Sequence, residues 1–192
     1  EEILESISGM GVEVLSGVSP ISALAGASQK QFSVKETVPF GGAYDQIQSI
    51  LRCETSSVIN DYRVISGKVI LKGEAMVHLF YSAGESGQNL EHLDFNIPIN
   101  QIIDVSGIDE GCTAEIKLEI VGENVSLSES DGKPSVMVEL MIMACCRCYR
   151  NTQIGIVSDA FSTKYDSSVK VKSFKPMCLV WSGCQMALIK AK

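Results

Sequence analysis

The sequence predicts a mainly β fold, with antiparallel sheets packed as a β-sandwich-like domain and one short helix near residues 43–52. Three observations carry this expectation. Apolar and polar residues alternate with a period of two, as in "QFSVKETV" from Gln31 and "SVMVELMIMA" from Ser135. Turn residues punctuate the alternating runs at Ser66-Gly67, Asp131-Gly132 and Ser182-Gly183. The 192 residues are 45% hydrophobic and 20% charged, an ordinary globular composition on a chain long enough to bury a core.

Along the chain, residues 1–30 are rich in Gly, Ser and Ala. They read as a possible strand at residues 12–15 followed by a loosely packed or donated segment. From Gln31 a strand is expected. In "AYDQIQSILRC" the residues Tyr44, Ile47, Ile50 and Leu51 share one helical face, hence the short helix after Gly41-Gly42. "YRVISGKVILKGEAMVHLFYS" holds two strands. Val69, Leu71, Ala75, Val77 and Leu79 share a face of the second, and Leu93, Phe95 and Ile97 share a face after the loop. Cross-strand partners face the same side, so odd pairs with odd, for example Val77 with Leu93 and Ala75 with Phe95. The even face, with Lys72, Glu74, His78, His92 and Asp94, is expected to be wet.

The hairpin around "SESDGK" is sharper. Asp131-Gly132 is a strong two-residue turn signal, placing Leu127 opposite Val136 and Val125 opposite Val138. Lower down, the apolar positions switch to Ile116, Leu118 and Ile120. One extra residue at Val121-Gly122 mends the mismatch as a bulge. Ile120 then faces Ile142, Leu118 faces Ala144, Ile116 faces Cys146, Ala114 faces Cys148, and Glu115 meets Arg147. "TQIGIVSDAF" and "VKVKSF" read as further strands, and "MCLVWSGCQMALIKA" as a last hairpin. Residues 167–192 are expected to be C-terminal strands, possible start of a following repeat in a longer protein.

Few patterns here point to chemistry. Neighbouring strand residues diverge, so Cys145 and Cys146 cannot converge on one ion, and no second C-x₂₋₄-C pair is present. Cys146 and Cys148 read as small apolar core residues. Cys145 lies beside Lys117 on the outer face, and a basic neighbour raises thiol reactivity. It is a candidate for an intermolecular cross-link, with Cys178 and Cys184 around the last turn. Seven cysteines cannot all pair within one chain, which fits a reducing compartment or a cross-linked assembly. His78 and His92 are the two histidines, and the expected register sets them side by side. A metal would need a third ligand that the sequence does not supply. No triad order, phosphate-binding loop, dinucleotide Gly pattern or carboxylate pair stands out, so the chain reads as a non-enzyme without cofactor or metal. A formal charge of −7 is the wrong sign for nucleic acid. No run approaches the roughly 18 apolar residues of a membrane-spanning helix. The chain opens on Glu1, as expected of a processed or excised chain.

A resemblance supplies the function. "DQIQSIL" precedes a strand, and "INDYRVISGKVILKGEAMVHLFY" follows it. Then come "FNIPINQIIDVSGIDEG", the hairpin ending in "VELMI" and the closing "VSDAFSTKYD". In this order they resemble the SPOCS domain of SipL-type spore morphogenetic proteins of Clostridia and related Firmicutes, over residues 31–166. The resemblance implies a non-enzymatic structural module of protein–protein interaction in the spore coat or envelope, made in the mother-cell cytoplasm. In SipL a LysM domain follows and engages the coat basement ATPase. No LysM-like segment occurs here, so neither that partner nor any binding residue carries over. Expected partners are other spore-envelope proteins or copies of the chain. Two alternatives stand beside this reading: a self-assembling, disulfide-cross-linked subunit of a spore surface layer or appendage, and a cell-wall glycan or small-ligand binding domain. The last is disfavoured by an aromatic content of 6% with one tryptophan, Trp181.

Overall fold

A computed structural model describes residues 11–40, 47–84, 87, 89–130 and 133–164. The described chain is built from six strands: β1 (Val12–Pro39), β2 (Ile47–Ile65), β3 (Lys68–Ala83), β4 (Asn89–Asp104), β5 (Cys112–Ser130) and β6 (Lys133–Ser162). They form two antiparallel three-stranded sheets, ordered β1-β6-β5 and β2-β3-β4. The mainly β, sandwich-like expectation holds.

The inward residues of the two sheets meet in two apolar clusters. One joins Val69, Leu71 and Ile103 of the second sheet to Ala114, Ala144, Cys146 and Cys148 of the first. The other joins Ala75, Val77, Leu79, Ile97 and Ile99 to Val136, Val138, Leu140 and Ile142. Phe32 and Leu118 pack against both. Alternation alone explains the membership. On β6 the even positions 136 to 148 are all buried, because a period of two sends every second side chain to one face.

The β5–β6 hairpin has the register read from the sequence. Leu127 pairs with Val136, Val125 with Val138, Ile120 with Ile142, Ile116 with Cys146, Ala114 with Cys148 and Glu115 with Arg147, and the register shifts between Ile120 and Gly122. Asp131-Gly132 lies outside the described residues, and its flanks Ser130 and Lys133 pair with each other.

Three expectations are corrected. First, the helix near residues 43–52 is not formed where described: residues 47–52 belong to β2, and residues 43–46 lie outside the described residues. The reason is physical. Register shifts after Ile47 and after Ile50 leave Gln48 and Leu51 unpaired, so Ile47, Ile50 and Cys53 fall opposite Ala83, Tyr81 and Leu79. Two closely spaced bulges turn a period of two into one of three, which imitates a helical face. Second, the β3–β4 pairing is displaced by two residues. Val77 pairs with Phe95 and Ala75 with Ile97, while Leu79 takes Leu93. A shift of two preserves the faces, and a five-residue connection does not dictate register as a two-residue turn does. Third, residues 12–30 do not form a loose approach. They continue β1, paired within the chain along β6. The expected strands beyond residue 164, Trp181 among them, lie outside the described residues.

β1 crosses the β4–β5 connection at Gly26. Any Cβ there would collide with the Ser106 carbonyl oxygen, so glycine permits the close approach. A register shift between Leu24 and Gly26 marks the same point, where β1 leaves the body of the sandwich.

Candidate interaction surface

β5 starts at Cys112, opposite Arg150 of β6. Beyond that point β6 continues through Ser162 and pairs there with the first half of β1, from Asn151 with Ser22 to Ser162 with Val12. Among the described residues the result is a two-stranded ribbon leaving the three-stranded sheet. At its end the Thr163 amide donates to the Gly11 carbonyl at 2.9 Å. Ribbons of two strands gain little from burial, and this one shows Leu15 63%, Val18 69% and Phe161 52% exposed. Sequence reading missed it. The Gly/Ser/Ala-rich composition of residues 12–30 hid the strand, and no local signal links residues 12–22 to residues 151–162.

The outer face of the first sheet holds the outward cysteine. Cys145 pairs with Gln29 on one side and Lys117 on the other, as the sequence indicated for Lys117. It is half-buried in an open groove of about 630 Å³ shared with Glu115, Lys117, Glu119 and Arg147. Lys117 Nζ lies 3.6 Å from Glu119 Oε2, so the cross-strand cation is itself paired. Cys178 and Cys184 lie outside the described residues.

Cys146 and Cys148 point the other way and are 1% and 0% exposed. Their sulfurs are 3.7 Å apart. Burial, and then the neighbouring Cys148, push the Cys146 thiol up to about 12, and burial likewise raises Cys148. Such thiols pack as apolar groups. The three cysteines of "CCRC" therefore divide between opposite faces.

On the outer face of the second sheet, the two-residue displacement separates the histidines. His78 lies opposite Asp94, with Nδ1 2.9 Å from Oδ1, and His92 lies opposite Phe80. The expected side-by-side pair is not formed. Among the described residues, no group of three or more His, Cys, Asp and Glu side chains is arranged to hold a metal ion. Other polar side chains of this face pair across strands as well. Asn60 and Asn96 both donate to Glu74 at 2.7 Å. No described helix is long and apolar enough to cross a membrane.

Residues 46–128 match the family model of the SipL SPOCS domain. The matched stretch runs from the start of β2 nearly to the end of β5, so it spans the whole second sheet and β5, one of the two edge strands of the first. The suspected SPOCS resemblance is thereby found independently, and it marks this stretch as a domain of a sporulation-associated family. No curated protein and no solved structure matches the chain.

Proposed function

From the SPOCS match over residues 46–128 as premise, we propose that the chain is a non-enzymatic structural module of spore coat or envelope assembly, acting by protein–protein contact. The observation that carries this reading is the match itself. The geometry is compatible with it: long strands end in open edges, and an open edge offers unpaired N–H and C=O groups to a neighbouring strand. Partners on this reading are other envelope proteins or further copies of the chain, and synthesis in the mother cell follows from the family. The test is immunodetection in fractions of the source organism. The protein should be found in sporulating cultures and in extracts of the purified spore envelope. Equal abundance in vegetative cells and absence from spores would overturn the reading.

One observation favours the cross-linked layer as a second reading. Cys145 faces outward in an open groove, where a thiol of another molecule can reach it. Size-exclusion chromatography with and without reductant separates the two. Large species that dissolve on thiol reduction, and that Cys145→Ser prevents, support the layer. A distribution unchanged by reductant supports the scaffold module.

A further inference from the structure

The cluster "CCRC", Cys145 to Cys148, lies on the central strand of the first sheet, with partners on both sides. Cys146 is paired with Ser28 and Ile116, and Cys148 with Gly26 and Ala114. The sulfurs of Cys146 and Cys148 touch at 3.7 Å, and both are free thiols. Whether they can bond is a matter of carbon spacing rather than of sulfur contact. Strand residues two apart hold their β-carbons about 6.6 Å apart, at ~3.3 Å of rise per residue. A disulfide needs about 3.5–4.5 Å between β-carbons. Closing the bond would shorten β6 across Arg147 by roughly 2 Å. Arg147 pairs with Ala27 and with Glu115, so the pull would break the ladders to β1 and β5 together. The other pairings within the cluster fare worse. Cys145 points outward whereas Cys146 and Cys148 point inward, so a bond from Cys145 to either would turn part of β6 over. The neighbourhood has no slack for this: beside Cys148, a Cβ on Gly26 would already collide with the Ser106 carbonyl oxygen.

We propose that "CCRC" makes folding conditional on reduction: β6 forms only from the free thiols, and any disulfide within the cluster holds the chain out of its fold. In the unfolded chain no sheet keeps the three cysteines apart, and they lie within four consecutive positions. The step is a thiol–disulfide exchange with a small disulfide such as oxidised glutathione. One cysteine attacks as its thiolate, forms a mixed disulfide and releases the first glutathione. A second cysteine of the cluster then displaces the other glutathione. Two electrons pass to the oxidised glutathione, the two cysteine protons end on the two released glutathione thiols, and one S–S bond remains in the cluster. Folding opposes this exchange. Once β6 is paired, Cys146 and Cys148 are 1% and 0% exposed, and exchange needs an accessible thiolate. A disulfide that only the unfolded state accepts is disfavoured by folding, and by the same linkage it disfavours the fold. Cys145, outward in its groove, is the member of the cluster left for bonds to another molecule. This device is independent of the envelope role and holds with or without it.

Trypsin reads the state of the cluster, because it cuts after Arg147, between the first two cysteines and the third. A bond from Cys148 to Cys145 or Cys146 keeps the peptide ending at Arg147 joined to the one beginning at Cys148 until reductant is added. The full chain is unfolded in urea, exchanged with oxidised glutathione and desalted in acid. It is then returned to urea-free buffer at about pH 6, where thiolates are few. Size-exclusion chromatography separates folded from unfolded chains, and each fraction is alkylated, digested and weighed by mass spectrometry. The joined peptides are expected in the unfolded fraction and at least about tenfold rarer in the folded one. Reductant should return the unfolded fraction to the native far-UV circular dichroism. Native protein treated with oxidised glutathione without urea should yield no joined peptides. After the same oxidation in urea, Cys146→Ala/Cys148→Ala should refold in larger yield than wild type. Joined peptides as abundant in folded chains as in unfolded ones overturn the proposal. So does a double variant blocked as fully as wild type, because other cysteines would then hold the chain unfolded. Should the variant not fold even when reduced, the comparison of the two wild-type fractions still decides.

Discussion

At Cys146 the side chain is 1% exposed, and the thiol is pushed from its ordinary 9.0 up to about 12, first by burial and then by Cys148. Cys53 is pushed up to about 11 by burial and by Glu123. The unfolded chain releases these protons near pH 9, whereas the folded chain keeps them. Between pH 9 and about 11 the unfolded state therefore binds fewer protons, and stability must fall as pH rises. Below pH 9 both states hold the proton and these groups add no pH dependence. The urea midpoint, followed by circular dichroism, is expected to stay flat from pH 7 to 8.5 and then decline, with a shallower decline in Cys53→Ala/Cys146→Ala. A decline of equal steepness in that variant would show that other groups titrate. Outward-facing Cys145 sits in an open groove rather than in either apolar cluster. At this scale the sequence was readable. A strand forces neighbours apart, so "CC" had to split, and the apolar company of Val138, Leu140, Ile142 and Ala144 decided which cysteine went inside.

Among the elements, β2 gives the sharpest test, because its bulges make opposite demands on adjacent residues. Leu51 is unpaired and 56% exposed, whereas Ile50 pairs with Tyr81 and packs against the second cluster. Leu51→Ala should change the stability by less than about 0.5 kcal/mol, and Ile50→Ala should cost about 2 kcal/mol, the low end for a partly covered isoleucine. A helix would bury both on one face and make the two losses alike; urea denaturation of the pair decides. The same element shows where sequence reading stops. The β5–β6 hairpin was legible residue by residue, since a two-residue turn fixes register and a glycine marks the bulge that corrects it. The β3–β4 hairpin was legible in its faces and not in its register, because its longer connection allows pairings two residues apart. That slip put His78 opposite His92 on paper, and the fold puts it opposite Asp94. β2 was misread because consecutive bulges erase the period on which strand reading depends. The pairing of β1 with β6 joins the first and last described strands, and no periodicity reports a contact so distant in sequence.

For the whole molecule, the question is whether two apolar clusters make one cooperative unit. The cluster with Cys146 and Cys148 and the cluster with Leu140 each draw on both sheets, and β6 runs through both of them. Phe32 of β1 and Leu118 of β5 touch both from either side of β6, leaving no layer at which the sandwich could part. Leu140 is fully buried, and Leu140→Ala should cost about 2–5 kcal/mol through lost transfer energy and the cavity left behind. If the clusters are coupled, that loss must appear at a distant reporter. The urea midpoint for exposure of the Cys146 and Cys148 thiols, measured by alkylation, should fall together with the midpoint of the far-UV signal. The two curves should coincide in wild type and in variant, as an all-or-none transition requires. Thiol exposure that ignores Leu140→Ala would mean that the sandwich opens from one end while the other holds. The ribbon of residues 12–22 and 151–162 belongs to neither cluster. Its amides should exchange by local opening well below the global unfolding free energy in dilute protein. That difference would place the stability of the molecule in the sandwich rather than in the ribbon.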